Sequence, residues 1–195
     1  MTSSPPDIVK EVLAQRVAQT LADPSLTPAA VLLALYPKDG QYCILLHKRS
    51  EQVEYHKGEI SFPGGTQDRE DRDSLETALR EAEEEMGIRR EDVTILGQLD
   101  EVATNSGFLI RVYVGTIEYP YPFKPSNLEI AEVLEVPIAV LLDPANLRVE
   151  SRWDQGQLTT SYAYAYDQHL IFGATARILQ QFLELLANGI AKEAN

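Results

Sequence analysis

Two short stretches carry most of the chemical information in this chain: Phe62-Pro63-Gly64-Gly65, and then Arg80-Glu81-Ala82-Glu83-Glu84-Glu85-Met86-Gly87-Ile88. If the second stretch is helical, a turn of about 100° per residue places Glu81, Glu84 and Glu85 in one sector and Glu83 on the opposite flank. Clustered carboxylates on a helix are most often a solvated face. Here a glycine pair would let backbone approach a ligand closely, and carboxylate oxygens are the ligands that Mg²⁺ and Mn²⁺ require. The two stretches together therefore predict a divalent-cation site.

The acidic stretch lies at the end of a helix predicted over residues 74–86. Asp73 and Glu76 have the spacing of an N-terminal capping box, and Gly87 is placed to end the helix. Apolar residues recurring at three- to four-residue steps predict another helix from Ile8 to Leu21, ending near residues 22–24. The same periodicity predicts a closing helix over residues 174–187.

Strands account for most of the remaining pattern. Two buried strands are predicted over residues 29–36 and 42–47, joined by a Pro-Lys-Asp-Gly turn. Further strands are predicted over 93–99, 108–117, 131–136, 147–151 and 161–166, with a short helix over 137–142. Crossover helices are too few for a doubly wound parallel sheet, so we predict an α/β chain of the α+β type, with a mixed sheet between helices. We expect a single domain over residues 25–190, preceded by an N-terminal helical extension over residues 1–24.

The charge balance excludes one broad class of partner. The 195 residues include 17 Lys and Arg against 30 Asp and Glu, which gives a formal net charge of −13. Nucleic-acid binding through general phosphate neutralisation needs a basic face, so we expect no nucleic-acid partner. An anionic ligand must instead meet a local cluster of basic groups or bound cations.

Cysteine usage and hydropathy indicate the compartment. The lone Cys43 lies in an apolar run, where it is most simply a small buried hydrophobe without a disulfide partner. The N-terminus lacks the order of a signal peptide, and no uncharged apolar stretch approaches the roughly 20 residues that span a bilayer. We expect a cytoplasmic protein with no membrane partner.

The two opening stretches resemble the signature of Nudix hydrolases, in which a glycine, a glutamate and an Arg-Glu-apolar-x-Glu-Glu-x-Gly-apolar segment form a loop-helix-loop cation site. The second half matches at every defined position. The interval from Gly65 to Arg80 is one residue longer than the general pattern, and Asp71 stands near where a glutamate is usual. The resemblance implies a Nudix-type α/β/α sandwich and a metal-dependent enzyme that cleaves a diphosphate bond.

Position by position, the resemblance implies roles for the acidic helix. Glu81, Glu84 and Glu85 would bind Mg²⁺ or Mn²⁺ together with the carbonyl of Gly65, and Glu81 and Glu84 would thereby take part in catalysis. Arg80 would orient the carboxylates. The alternative for Arg80 is an ordinary surface ion pair.

A general base could come from the helix glutamates or from a later segment. The family has a further glutamate before a strand that follows the signature, and Glu129 and Glu132 are the candidates for it. Each is as readily an exposed residue of a turn or strand. We favour Glu132 slightly.

A second block resembles the segment that marks the coenzyme A diphosphatase subfamily. It comprises Leu45–Ser50 and His56–Gly65, and later features of the subfamily recur at Asn105–Phe108 and Phe172–Leu179. Glu54 stands where that segment carries an arginine. The densest basic patch of the chain lies here and consists of His47, Lys48, Arg49, His56 and Lys57. From this block the predicted substrate-binding residues are Lys48, Arg49, Ser50 and His56, the alternative being a charged edge strand.

These resemblances imply a hydrolase of a nucleoside diphosphate linked to another moiety. Coenzyme A or an acyl derivative, cleaved to 3′,5′-ADP and 4′-phosphopantetheine, is the leading substrate hypothesis. An ADP-ribose or dinucleotide diphosphatase is the alternative enzyme, and a non-catalytic module that senses a nucleotide is an alternative of another class. A homodimer is left open, because the apolar faces of the two terminal helices could pair subunits or cover their own sheet.

Overall fold

The computed structural model describes residues 3–52, 57–154 and 156–193, which contain four α-helices, eleven strands and two short 3₁₀ helices. The helices are α1 (Pro5–Ala14), α2 (Ser74–Met86), α3 (Ile138–Leu142) and α4 (Gly173–Glu193). The strands are β1 (Thr27–Lys38), β2 (Gln41–Arg49), β3 (Ile60–Ser61), β4 (Gly64–Thr66), β5 (Thr94–Gln98), β6 (Val102–Ala103), β7 (Phe108–Thr116), β8 (Ile130–Pro137), β9 (Leu147–Asp154), β10 (Gln157–Tyr166) and β11 (His169–Ile171).

The apolar strand β1 lies at the centre of the main sheet. The strand order is β3-β2-β1-β7-β5, with β8 paired to β2, β6 paired to β7 and β4 paired to β1. β1 runs parallel to β7 and antiparallel to β2 and β4. The sheet is therefore mixed, as predicted. Strands β9, β10 and β11 form a separate antiparallel sheet of three strands.

Both faces of β1 are buried because helices cover the sheet on each side. Leu33 and Leu35 join the core that also contains the apolar sides of α1 and α4. Leu32, Ala34 and Tyr36 point the other way, into a second core under α2. Alternate side chains of a strand point to opposite faces, so a continuous apolar run is what a doubly covered strand requires. The predicted sandwich of helices around a mixed sheet is confirmed.

Helix α2 begins and ends where its local signals predict. The carboxylate of Asp73 accepts the N–H of Glu76 at 2.9 Å, and Gly87 ends the helix with φ of 69° in the left-handed region. The reciprocal half of the predicted capping box differs, because the Glu76 carboxylate accepts the N–H of Arg72 instead. The boundaries of the acidic helix are therefore set by its own sequence.

Helix α1 is shorter than its apolar periodicity predicts. It ends at Ala14, well before Pro24. Beyond the helix the backbone is bound to a distant loop: Leu21 donates its N–H to the Glu101 carboxylate at 2.7 Å, and the N–H of Glu101 donates to the carbonyl of Gln19 at 3.0 Å. These hydrogen bonds replace the ones that a longer helix would make, so the predicted helix end is wrong.

The two terminal helices pack against each other. A Cβ atom on Gly189 of α4 would lie only 2.3 Å from Cγ2 of Ile8 in α1, so the glycine permits close approach. Ile8, Val9 and Leu13 are buried in the same core as Phe182 of α4. Of the two alternatives for these apolar faces, the structure therefore has them covering their own sheet.

Cys43 is free and buried, which confirms its interpretation as a small apolar residue. It belongs to the core under α2. Within the described part of the chain, no helix combines the length and apolarity needed to cross a bilayer.

Candidate active site

The glycine pair and the acidic helix lie directly against each other. Gly64 and Gly65 begin β4, which pairs with β1 beneath α2. A Cβ atom on Gly64 would lie 2.4 Å from the carbonyl oxygen of Ala30, and one on Gly65 would lie 2.4 Å from Oε1 of Glu81. Only glycine lets the helix carboxylates approach this backbone so closely.

Glu85 is the buried member of the acidic cluster, with 1% of its surface exposed. Its Oε2 accepts the N–H of Gly64 at 3.0 Å, and its Oε1 accepts a hydrogen bond from Arg49 Nη1 at 3.4 Å. Burial raises the pKa of Glu85 to about 8, although the Gly64 hydrogen bond and the Arg49 charge act in the opposite direction. The positive charge near this carboxylate is too small to offset the cost of burying its ionised form.

Arg80 is the hub of the acidic cluster. Its Nε and Nη2 donate to the two oxygens of Asp71, both at 3.0 Å, while Nη1 donates to Glu81 at 2.9 Å and to Glu84 at 3.2 Å. Nη2 also donates to the carbonyl of Thr66 at 3.2 Å. One guanidinium thus joins the loop before α2, strand β4 and two helix carboxylates, an arrangement suited to orienting them.

Asp71 is a residue whose role in this cluster sequence reasoning missed. The hydrogen bonds from Arg80 are the main cause of a pKa that is lowered to about 2, and Thr77 Oγ1 also donates to it at 2.9 Å. Asp71 therefore stays ionised and holds Arg80 in place. The sequence gives one indication of this role, because Asp71 stands near the position where the signature usually has a glutamate.

The other helix glutamates differ in exposure in the way the helical wheel predicts. Glu81 is half-buried, and burial is the main cause of its raised pKa, with Arg80 opposing the shift. Glu84 is exposed and contacts the same arginine. Glu83 is exposed on the opposite flank. The structure thus brings together Glu81, Glu84 and Arg80, with Glu85 beside Gly64.

The donor set fits a divalent cation. Within residues 3–52, 57–154 and 156–193, no three acidic, imidazole or thiolate groups are already gathered at the spacing of a metal-binding cluster. What the site presents is hard oxygen donors beside a glycine backbone, with two carboxylates whose charged forms are disfavoured by burial. Mg²⁺ and Mn²⁺ prefer such oxygens and would supply the missing positive charge.

Part of the predicted substrate-binding segment borders the acidic cluster. Arg49 contacts Glu85, and Lys48 precedes it on β2. Ser50 is buried, and its N–H donates to the carbonyl of Glu129 at 2.7 Å. His56, together with Glu54, lies outside the described residues.

His47 does not belong to a charged patch. Its side chain is fully buried, and burial followed by the nearby Arg49 charge lowers its pKa to about 3, so the imidazole is neutral. Nε2 lies 3.1 Å from Ser61 Oγ and 3.9 Å from Glu85 Oε2. His47 is therefore a buried, neutral side chain next to Glu85. The prediction that it belongs to a basic patch is wrong.

The two candidates for a general base lie in different surroundings. Glu132 on β8 contacts Nε2 of His169 on β11 at 3.2 Å. Glu129, just before β8, lies in a turn that is bound to the acidic helix: its N–H donates to the carbonyl of Ser126 at 3.1 Å, and the Ser126 N–H donates to the carbonyl of Glu85 at 2.8 Å. The structure therefore places the Glu129 turn next to the acidic helix, and Glu132 in contact with a histidine of the second sheet.

A mixed sheet between helices, with a carboxylate-bearing helix packed on a glycine strand, is the arrangement that the resemblance to Nudix hydrolases implies. The chain matches the NUDIX domain over residues 26–148 and belongs to the Nudix hydrolase family. Members of this family hydrolyse pyrophosphate bonds and generally use divalent metals such as Mg²⁺ or Mn²⁺.

Relatives and solved structures agree with this assignment. The protein of Photorhabdus laumondii described as an uncharacterized Nudix hydrolase, NudL, is 36% identical over 156 residues, which cover 80% of this chain and 83% of the relative. The NudL of Escherichia coli K12 is 32% identical over 155 residues, covering 78% and 79%. The Nudix hydrolase RenU from M. smegmatis is 25% identical and superposes with a TM-score of 0.50 over 60% of this chain and 74% of its own. The Nudix prediction is confirmed.

Proposed function

We propose that this chain hydrolyses the diphosphate bond of a nucleoside diphosphate linked to another moiety, with Mg²⁺ or Mn²⁺, and that coenzyme A is its substrate. The observation that carries the proposal is the buried Glu85 carboxylate held between the Gly64 N–H and Arg49, beside Glu81. An acidic site and a basic side chain meet there, as a cation-bridged anionic substrate requires.

Each residue of the site has a distinct proposed role. Gly65, Glu81, Glu84 and Glu85 would hold the cations, which when bound screen the diphosphate charge and lower the pKa of a coordinated water. Arg80 holds the Glu81 and Glu84 carboxylates in orientation through its contacts.

The proton that leaves the attacking water needs an acceptor. We assign that role to Glu129 in preference to Glu132, because Glu129 lies in the turn whose Ser126 donates its N–H to the carbonyl of Glu85 at 2.8 Å, whereas Glu132 contacts His169. A general base must lie within reach of the reacting water, and Glu129 precedes β8 on the side of the cluster.

The coenzyme A assignment rests on the segment from Leu45 to Gly65. Arg49 lies at the rim of the acidic cluster, where it can meet phosphate oxygens that extend beyond the cations. Lys48 precedes it on β2 and points to the other face of the strand, so its contact with the substrate stays a prediction. Ser50 follows at the same strand end, where its N–H is bound to the carbonyl of Glu129. The predicted contact from His56 remains part of this proposal.

Product analysis by liquid chromatography tests the proposal. Purified protein is incubated with Mg²⁺ and, in parallel, coenzyme A, coenzyme A lacking its 3′-phosphate, ADP-ribose and a dinucleotide. We expect coenzyme A to be cleaved faster than the other three substrates, to 3′,5′-ADP and 4′-phosphopantetheine. Faster cleavage of ADP-ribose or the dinucleotide would reject coenzyme A as the substrate, and saturable nucleotide binding without any cleavage would identify a sensing module.

A matched pair of variants tests the site itself. Glu85→Gln keeps the hydrogen bond from Gly64 but removes a cation-binding charge, so the rate should fall at least about a hundredfold. Stability should be retained, because burial already disfavours the charged form of this side chain. Glu83→Gln, on the opposite flank, should keep the wild-type rate, and equal effects of the two changes would contradict the site.

A further inference from the structure

Strand β9 lies at the edge of the three-stranded sheet. In the second sheet the order is β11-β10-β9, and no strand among the described residues pairs with the far side of β9. Its pairing with β10 is regular over the whole strand, from Leu147 to Asp154. A long edge without proline, glycine or a bulge leaves a row of N–H and C=O groups that favours pairing with another strand.

The side chains along this edge include large apolar groups in contact with solvent. Every residue from Arg148 to Trp153 is exposed. Trp153 is 75% exposed and Val149 53% exposed, and the two share a face of the sheet because alternate residues of a strand do. Leu158, opposite Trp153 on β10, is also exposed. An exposed tryptophan with apolar neighbours is typical of a contact surface.

The sequence of β9 is complementary to itself in the antiparallel direction. A two-fold axis perpendicular to the sheet must pass through one residue, because paired residues share a face. An axis at Ser151 sets Glu150 opposite the partner's Arg152, and Val149 opposite the partner's Trp153. An axis at Glu150 or Arg152 would set like charges side by side. An axis at Val149 would leave Trp153 beyond the end of the pairing.

We propose that two copies of this chain associate by antiparallel pairing of their β9 strands about a two-fold axis at Ser151. The two three-stranded sheets then become one sheet of six strands. The backbone edge supplies the hydrogen bonds, while two Glu150–Arg152 ion pairs and two Val149–Trp153 contacts set the register. The terminal helices take no part, since they already cover their own sheet.

Charge reversal tests the register. Sedimentation of the wild-type chain over a wide range of concentration should show a dimer of the 21.8 kDa chain. Glu150→Arg sets arginine opposite arginine twice, and we expect the dissociation constant to rise at least about tenfold. The double variant Glu150→Arg, Arg152→Glu restores opposite charges across the axis and should restore the dimer. A monomeric wild type, or a dimer that Glu150→Arg leaves unchanged, would overturn the proposal.

Cysteine cross-linking tests the axis independently of stability. Ser151→Cys places two thiols opposite each other at the axis, so mild oxidation should give a covalent dimer on a non-reducing gel. Thr160→Cys is the matched control, because Ser151 and Thr160 share one hydrogen bond of 3.2 Å and either change removes it. The buried Cys43 should not compete. Equal cross-linking of both variants, or none with Ser151→Cys, would place the axis elsewhere.

Discussion

Adding a methyl group to Gly65 should disable the site while leaving the fold intact. The new Cβ would lie 2.4 Å from Oε1 and 2.5 Å from Cδ of Glu81, whereas ordinary contact begins at 3.4 Å. The Glu81 carboxylate must therefore retreat by about 1 Å, and a misplacement of that size can cost about a hundredfold in rate. Because the obstructing atoms are the end of a flexible side chain, the strand pairing with β1 is retained.

Gly64→Ala should act mainly on stability, whereas Gly65→Ala should act mainly on the rate. There the new Cβ would lie 2.4 Å from the carbonyl oxygen of Ala30 and 2.7 Å from Cα of Val31, which are backbone atoms of the central strand. They cannot retreat without disturbing the sheet, so we expect a loss of about 1–3 kcal/mol in the free energy of unfolding. For a chain of this size that corresponds to a fall of roughly 2–12 °C in the melting temperature.

Thermal unfolding and initial rates at saturating Mg²⁺ measure the two effects separately. Gly65→Ala should melt within a few degrees of the wild type and hydrolyse coenzyme A about a hundredfold more slowly. If coenzyme A is not the substrate, the fastest nucleotide of the panel replaces it. A Gly65→Ala variant with the wild-type rate, or with the same loss of stability as Gly64→Ala, would refute the reasoning.

Four further substitutions test individual contacts. Glu129→Gln should lower kcat about a hundredfold or more, whereas Glu132→Gln should leave kcat near wild type, and the reverse order would assign the base to Glu132. Arg80→Lys keeps the charge but cannot span its partners, so the Mg²⁺ concentration for half-maximal rate should rise about tenfold; an unchanged Mg²⁺ titration would argue against an orienting role. Asp71→Asn should lower stability at neutral pH by about 1–2 kcal/mol. Because the pKa of Asp71 is lowered from 3.8 to about 2, that difference should disappear between about pH 4 and pH 2, and urea unfolding that still shows it at pH 2 would contradict the assignment.

Elements with strong local signals were predictable from the sequence. Helix α2 has a capping aspartate at Asp73 and a left-handed glycine at Gly87, both of which act within a few residues. The continuous apolar run of β1 likewise predicts a strand covered on both faces. In these segments local chemistry and tertiary packing favour the same structure.

Features that depend on distant residues were not predictable in the same way. The end of α1 is determined by Glu101, which is far away in the sequence. The two- and three-residue strands β6 and β11 are too short to show a period. His47 lies in an apparently basic segment but is buried opposite Ser61 and β8, which only the register of the sheet reveals. The contact of Arg80 with Asp71 similarly requires the path of the loop before α2.

The contacts of Arg80 with the acidic cluster bear on the order in which this chain would fold and bind a metal. Asp71, Glu81 and Glu84 already have a positive partner supplied by the chain itself. Mutual repulsion among them is therefore compensated before any ion arrives, in contrast to small metal domains whose folding depends on the ion. We therefore expect the native state to form first and to bind cations afterwards, so that cation supply would control turnover while the amount of folded protein stays constant.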